Sequence, residues 1–388
     1  MNRADKFSAA ISEMRHSGIR KFFELIIGRD DIITLGVGEP DFATPWHIRE
    51  EAFHHLERGH TSYTSNWGIL ELRREIARYL EKYEIAYNYE NEILVTVGAS
   101  EAVDLVLRAI LNPGDQIIVC EPCYVSYLPL AKLLGAELIH LDTSLTDFIP
   151  TAEAVENAIT PKTKALMLCS PSNPTGRMIP REELRRIADV VKKHEIWALS
   201  DEIYCELRYD GNTHTSIASF PGMKEYAVVF NGFSKALAMT GWRIGYVCAA
   251  KPLMEQVFKL HQYAAICAPI MSQYAAIEGL KNGAAEVEKM RQSYQQRRNL
   301  AHNVLKQIGL SAAKPDGAFY IFPDMRCTGF SSEEFAERLI NEYSVAVVPG
   351  SVFGAGGEGF VRCCYATDAA RLKTALERIS AMVEKYRR

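Results

Sequence analysis

Between residues 92 and 250, short apolar runs of β-forming residues alternate with amphipathic helical patterns, and this alternation constrains the fold more than any other feature of the chain. The runs are Ile93–Val97, Gln116–Cys120, Ala165–Cys169, Ile196–Ser200, Ala227–Phe230 and Ile244–Cys248. Helical patterns such as Glu101–Leu111 and Arg181–Lys193 fill most of the gaps. Strands alternating with helices predict an α/β fold, a mostly parallel central sheet with helices on both faces. Two amphipathic helices are predicted ahead of it, near 46–58 and 69–83. Helical patterns dominate 251–308, with Lys281-Asn282-Gly283 as a joint between two of them. The last stretch mixes short strands (Ala318–Phe322, Val345–Val348, Phe360–Cys364) with helices near 331–341 and 369–386, an α+β pattern. A chain of 388 residues has room for two domains or three. The expected division is a large domain over 46–285, with 1–45 and 286–388 forming an N-terminal arm and a smaller α+β domain.

Composition narrows the function. The net charge is −4, which argues against a general nucleic-acid binder, where a basic footprint is expected. No apolar run approaches the roughly 18 residues of a membrane span. Behind the charges of Met1-Asn2-Arg3-Ala4-Asp5-Lys6 there is no apolar signal region. The chain is expected to be cytoplasmic, with no membrane partner. Its nine cysteines are then expected as free thiols. Cys120-Glu121-Pro122-Cys123 fits C-x-x-C, but the reading favoured is that Cys120 ends a buried strand and Cys123 lines a loop. No second Cys/His pair has zinc spacing, so no metal is expected.

Polar clusters stand just after five of the predicted strands: Gly98-Ala99-Ser100, Pro122-Cys123-Tyr124, Ser170-Pro171-Ser172-Asn173-Pro174-Thr175-Gly176, Asp201-Glu202-Ile203-Tyr204 and Asn231-Gly232-Phe233-Ser234-Lys235. Ligands of open α/β sheets bind outside the carboxyl ends of the strands, so the five clusters converge on one site. Gly98-Ala99-Ser100 opens a helix, where small residues and the helix dipole favour an anion; a plain serine cap is the simpler alternative. Lys235 sits against an apolar run and could act as a Schiff-base amine. Arg243, eight residues on, could pair with a phosphate. Asp201 ends an apolar strand, and a buried carboxylate needs a cationic partner such as a pyridinium nitrogen. Tyr204 and Asn173 offer a phenol and an amide to a cofactor oxygen.

With these motifs the chain resembles the class I pyridoxal-phosphate aminotransferases of fold type I, in the subgroup of bacterial and archaeal aspartate and aromatic enzymes. The blocks that carry the resemblance are Asn231-Gly232-Phe233-Ser234-Lys235 with Met239-Thr240-Gly241-Trp242-Arg243-Ile244-Gly245, Ser172-Asn173-Pro174-Thr175-Gly176 and Ser200-Asp201-Glu202-Ile203-Tyr204. It implies that pyridoxal 5′-phosphate is held by Lys235 as a Schiff base. Asp201 would pair the pyridine nitrogen, Tyr204 and Asn173 would bind the 3′-oxygen, and Tyr124 would stack on the ring. Gly98, Ala99, Ser100, Ser234 and Arg243 would hold the phosphate, with Tyr63 reaching across from the other subunit of a homodimer. Arg362, in Gly359-Phe360-Val361-Arg362, would grip the substrate α-carboxylate with help from the Gly38 amide, and Asn173 would also border the substrate. Cys363-Cys364 departs from the hydroxyl or β-branched pair expected beside Arg362. Ile19, in the arm, is a candidate for the substrate side chain. The Asn173–Pro174 bond is expected to be cis.

Gly354-Ala355-Gly356-Gly357-Glu358-Gly359 fits G-x-G-x-x-G, yet a strand pattern follows where a dinucleotide site needs a helix, so it is expected as a flexible loop. The function implied is transfer of an amino group from an L-amino acid to a 2-oxo acid, 2-oxoglutarate above all, by ping-pong between the aldehyde and amine forms of the cofactor. The same lysine would serve the alternative, a cysteine-S-conjugate β-lyase. A non-enzymatic regulator would be expected to carry a basic DNA-binding segment, and no such pattern is seen.

Overall fold

The computed structural model describes residues 7–12, 14, 16, 18, 28–29 and 31–388. Its main sheet has seven strands: β2 (Ile93–Thr96), β3 (Gln116–Glu121), β4 (Glu137–Asp142), β5 (Thr163–Cys169), β6 (Trp197–Asp201), β7 (Ala227–Gly232) and β8 (Gly245–Cys248). They lie in the order β2-β8-β7-β6-β5-β3-β4. Strand β8 runs against both of its neighbours and the other six run one way. A lone reversed strand is a common feature of such sheets.

Both faces of this sheet are buried, and the strand period of two shows why the runs are apolar throughout. Ile118, Leu166, Leu168, Ala198 and Val229 enter one core. Their neighbours Ile117, Val119, Met167, Leu199, Val228 and Phe230 enter another on the opposite face. Strand β4 is missing from the sequence reading. It is the sheet's edge, with no residue of Glu137–Asp142 fully buried, so it lacks the apolar run that marks its neighbours.

The helices Trp46–Glu57 and Leu70–Glu81 lie where their apolar periodicity places them. Gly283 joins helix Ile270–Asn282 to the long helix Ala284–Gln307. Beyond it, β9 (Tyr320–Ile321), β11 (Val348–Pro349) and β12 (Val361–Cys364) form an antiparallel sheet. Strand β1 (Ile33–Thr34), close to the N-terminus, pairs in parallel with β10 (Val345–Ala346). A third core joins Leu35, Tyr294, Phe319, Leu339, Val361 and Leu376. The Gly354–Gly359 segment forms short turns rather than an open loop, and β12 follows it. No strand–turn–helix unit for a dinucleotide is present there.

Candidate active site

The ends of β2, β3, β5, β6 and β7 share one edge of the sheet, and a cavity of about 370 Å³ opens there. Its wall includes Ala99 and Ser100 after β2, Tyr124 after β3, Asn173 after β5, Asp201 and Tyr204 at the end of β6, and Ser234, Lys235 and Arg243 from the segment between β7 and β8. The segment after β1 adds Gly36 and Gly38, and β9 and β12 add Tyr320 and Arg362. Thus four of the five post-strand clusters and the distant Arg362 meet in one space, as does Tyr124 of the fifth.

Lys235 is half-buried and its ammonium donates to the Gly38 carbonyl at 2.7 Å. Burial pushes it down to about 8, within reach of the neutral, nucleophilic form near physiological pH. Asp201 is buried. One of its oxygens accepts from the Tyr127 hydroxyl at 2.5 Å and the other from the Ile203 amide at 3.1 Å. Burial raises this carboxyl, and the two hydrogen bonds oppose the rise. Both donors are neutral, so a buried carboxylate faces the cavity with room for a cationic partner.

Gly98 caps the helix Ala99–Ile110 in the left-handed region, at φ 79°, and no side chain caps it. The simple serine-cap reading of Ser100 therefore does not hold. A Cβ at Gly98 would stand 2.8 Å from the Arg243 guanidinium, so the glycine lets that cation approach the helix N-terminus. Arg243 is exposed, and its own hydrogen bond goes to the Thr240 carbonyl at 3.1 Å. A helix N-terminus, a hydroxyl and an exposed guanidinium side by side suit a multiply charged anion.

Arg362 is held differently. It is 2% exposed. Its guanidinium donates to Asn173 Oδ1 at 2.9 Å and to the Gly36 carbonyl at 2.6 Å. Its Cζ lies 4.5 Å from the centre of the Tyr320 ring and 5.0 Å from that of Phe353. The Nε proton has no acceptor. The pair Cys363-Cys364 packs beside it, buried, and burial pushes the Cys364 thiol up to about 11.

A buried carboxylate lacking a cation, an anion cradle and a half-buried amine fit the nitrogen, phosphate and aldehyde of pyridoxal 5′-phosphate. The comparisons agree. A family model for aminotransferases of class I and II matches residues 30–379. The chain belongs to that family. Its members depend on pyridoxal 5′-phosphate, so the protein is an aminotransferase of fold type I. It is 52% identical over 377 residues to "Putative aminotransferase YugH" of Bacillus subtilis (strain 168), covering 97% of each chain. It is 42% identical to an aspartate aminotransferase of Pyrococcus abyssi, over 95% of this chain and 96% of that one. The crystal structure of an aromatic aminotransferase from Pyrococcus horikoshii OT3 superposes with a TM-score of 0.90 at 42% identity, covering 95% of this chain and 99% of that one.

Not every expected residue lies in the aminotransferase's cavity. Tyr63 is 81% exposed and outside the cavity of its own chain. Ile19 lies outside the described residues. The Asn173–Pro174 bond is cis. Cys120 is the last residue but one of β3, which runs on to Glu121 and not, as expected, only to Cys120, and Cys123 follows a proline in a loop, with no helix starting until Tyr127. Burial pushes the Cys120 thiol up to about 12, which suits a packed thiol and not a redox pair. Sequence reading missed Tyr127 and Tyr320, both buried on the cavity wall. The signal for Tyr127 was its place in Tyr124-Val125-Ser126-Tyr127, just past a post-strand cluster.

Proposed function

We propose that this aminotransferase takes its amino group from an aromatic, aspartate or similar L-amino acid and gives it to 2-oxoglutarate, in two alternating half-reactions at one cavity. The observation that carries the reading is the meeting of Lys235, Asp201 and Arg362 around one 370 Å³ space. When bound, pyridoxal 5′-phosphate supplies the aldehyde that exchanges amines and the ring that takes up electrons from Cα. Asp201 would keep the ring nitrogen protonated. Tyr204 and Asn173 would hold the ring oxygen, and Tyr124 would cover a ring face. Ala99, Ser100, Ser234 and Arg243 hold the phosphate, with Gly98 clearing the space for Arg243. Arg362 grips the α-carboxylate of donor and acceptor alike, its fork pre-set by Asn173 and the Gly36 carbonyl, and the Gly38 amide assists. Lys235 would hold the cofactor, and its amine is the group placed to carry the proton from the substrate Cα.

The proposed enzyme is a cytoplasmic homodimer. Trp46, Phe53 and Leu56, spaced by seven and three on one helix, are 58%, 55% and 51% exposed. We propose that a second copy covers that face and that Tyr63, 81% exposed, reaches the partner's phosphate site. We also propose 46–285 as the cofactor domain, with 1–45 and 286–388 as the N-terminal arm and small domain. A donor panel with 2-oxoglutarate tests the function. Stoichiometric formation of glutamate and a 2-oxo acid is expected. Catalytic release of pyruvate and ammonia from cysteine conjugates, without need of an acceptor, would point to elimination instead. Sedimentation of a fully active monomer would overturn the dimer.

A further inference from the structure

We propose that Tyr320 is a positioning residue that couples the two ends of the cavity, its ring aligning Arg362 and its hydroxyl aligning Tyr204. The inference rests on the roles proposed above for those two residues. Tyr320 opens β9, is 1% exposed and lines the cavity. Its ring stands 4.5 Å from the Arg362 Cζ, a cation–π contact that fixes the plane of the guanidinium. Its hydroxyl lies 2.8 Å from the Tyr204 hydroxyl. A Cβ at Gly38 would stand 2.5 Å from that same oxygen. The glycine is thus required by Tyr320, and its carbonyl is the acceptor that Lys235 uses.

The direction of the Tyr204–Tyr320 bond follows from proton counting. Burial raises both phenols far above their ordinary range, so both carry a proton. Each hydroxyl has one hydrogen. If Tyr204 spends its hydrogen on a cofactor oxygen, Tyr320 must supply the hydrogen between the two tyrosines. The chain Tyr320 to Tyr204 to ligand oxygen is then polarised in one sense, which strengthens the final bond. A phenylalanine at 320 would keep the ring beneath Arg362 and remove only the proton that sets Tyr204. The charged and titratable groups around the pair are Arg362, Lys235, Cys364, Cys169 and Tyr124.

The two functions separate in two variants of the holoenzyme. Tyr320→Phe is expected to lower kcat about ten-fold, with KM for donor and 2-oxo acid within two-fold of wild type. The pH midpoint of the visible band of the lysine-bound cofactor should move upward, because a weaker donor at the ring oxygen leaves more negative charge there to hold a proton. Tyr320→Leu removes the ring as well, and both KM values should then rise about ten-fold. If the leucine variant fails to fold, Tyr320→Met serves the same purpose. Gly38→Ala should impair turnover more in the wild-type background than in Tyr320→Phe, where the displaced hydroxyl is gone. An unmoved spectral midpoint in Tyr320→Phe, or unchanged KM values in the leucine or methionine variant, would overturn the inference. A wild-type protein with no lysine-dependent visible band would instead overturn the reading of the cavity on which it rests.

Discussion

The two arginines of the cavity are built on opposite plans. Arg362 is buried, doubly hydrogen-bonded and packed near two aromatic rings before any ligand arrives. Arg243 is exposed, stands in a left-handed turn at φ 50°, and keeps one carbonyl contact. The difference matches what each end is proposed to hold. A substrate must be presented in one orientation on every turnover, so its clamp is pre-organised. A cofactor that stays bound need only be held tightly, and its phosphate can bring order to the guanidinium as it docks.

Lys235 lies between these ends, and its removal is the harshest way to probe them. Lys235→Ala is expected to abolish turnover, by at least about 10⁴-fold, since loss of a general base alone costs about 10²–10⁴-fold. The visible band of the bound cofactor should vanish while the melting temperature stays within a few degrees. An active variant with a normal spectrum would place the covalent amine elsewhere. In the wild-type protein stripped of cofactor, the capture rate should climb with pH through about 8 and then level, as the neutral amine becomes the major form. Stopped-flow absorbance measures this.

The comparison itself is tested by Arg362→Lys. Charge is kept but the planar fork is lost, and kcat/KM should fall about 10²-fold for donor and oxo acid together, by misplacement of Cα. Cofactor affinity should be almost unchanged. Arg243→Gln should show the mirror image. Losing a hydrogen bond to a charged group costs about 1.5–3 kcal/mol, so the dissociation constant of the cofactor should rise roughly ten-fold or more, while kcat recovers when cofactor is saturating. If excess cofactor rescued Arg362→Lys, the two ends would have been assigned the wrong way round.

The smallest effect is expected from Tyr127→Phe. The Tyr127 hydroxyl favours the ionised form of Asp201. Without it the carboxyl rises further, and the acid limb of the pH–rate profile should move upward. Activity near pH 8 should change little. A limb that stays in place would show that Asp201 is held ionised by the cofactor alone.

Most of this site was legible because it is made of short motifs at strand ends. Asn173, Asp201, Tyr204, Lys235 and Arg243 each sit in a segment whose residue types point to chemistry, and the fully buried strands ahead of them are unmistakably apolar. Tyr127 and Tyr320 lie in no such segment. Tyr320 reads as one more aromatic in a buried strand, and its partner Tyr204 is 116 residues away. Only the folded chain brings the two hydroxyls together. Strand β4 escaped for the opposite reason, since its solvent-facing edge position leaves it a mixed sequence. Tyr63 carries its proposed role only in the presence of another chain, which no single sequence displays.

The pairing of β1 with β10 has a consequence for the order of assembly. Gly36 and Gly38 leave the ribosome long before Arg362. The bond between Gly36 and Arg362 spans 326 positions. During synthesis the parallel sheet and its phosphate end can form while the early segment waits without its strand partner. The substrate end of the cavity is completed only when Arg362 emerges. Contacts so distant in sequence form slowly, so arrested chains ending before residue 345 should acquire protease resistance in the sheet region and none in the segment 31–38. Limited proteolysis of stalled ribosome complexes would show whether the enzyme acquires a place for its cofactor before it has a grip on its substrate.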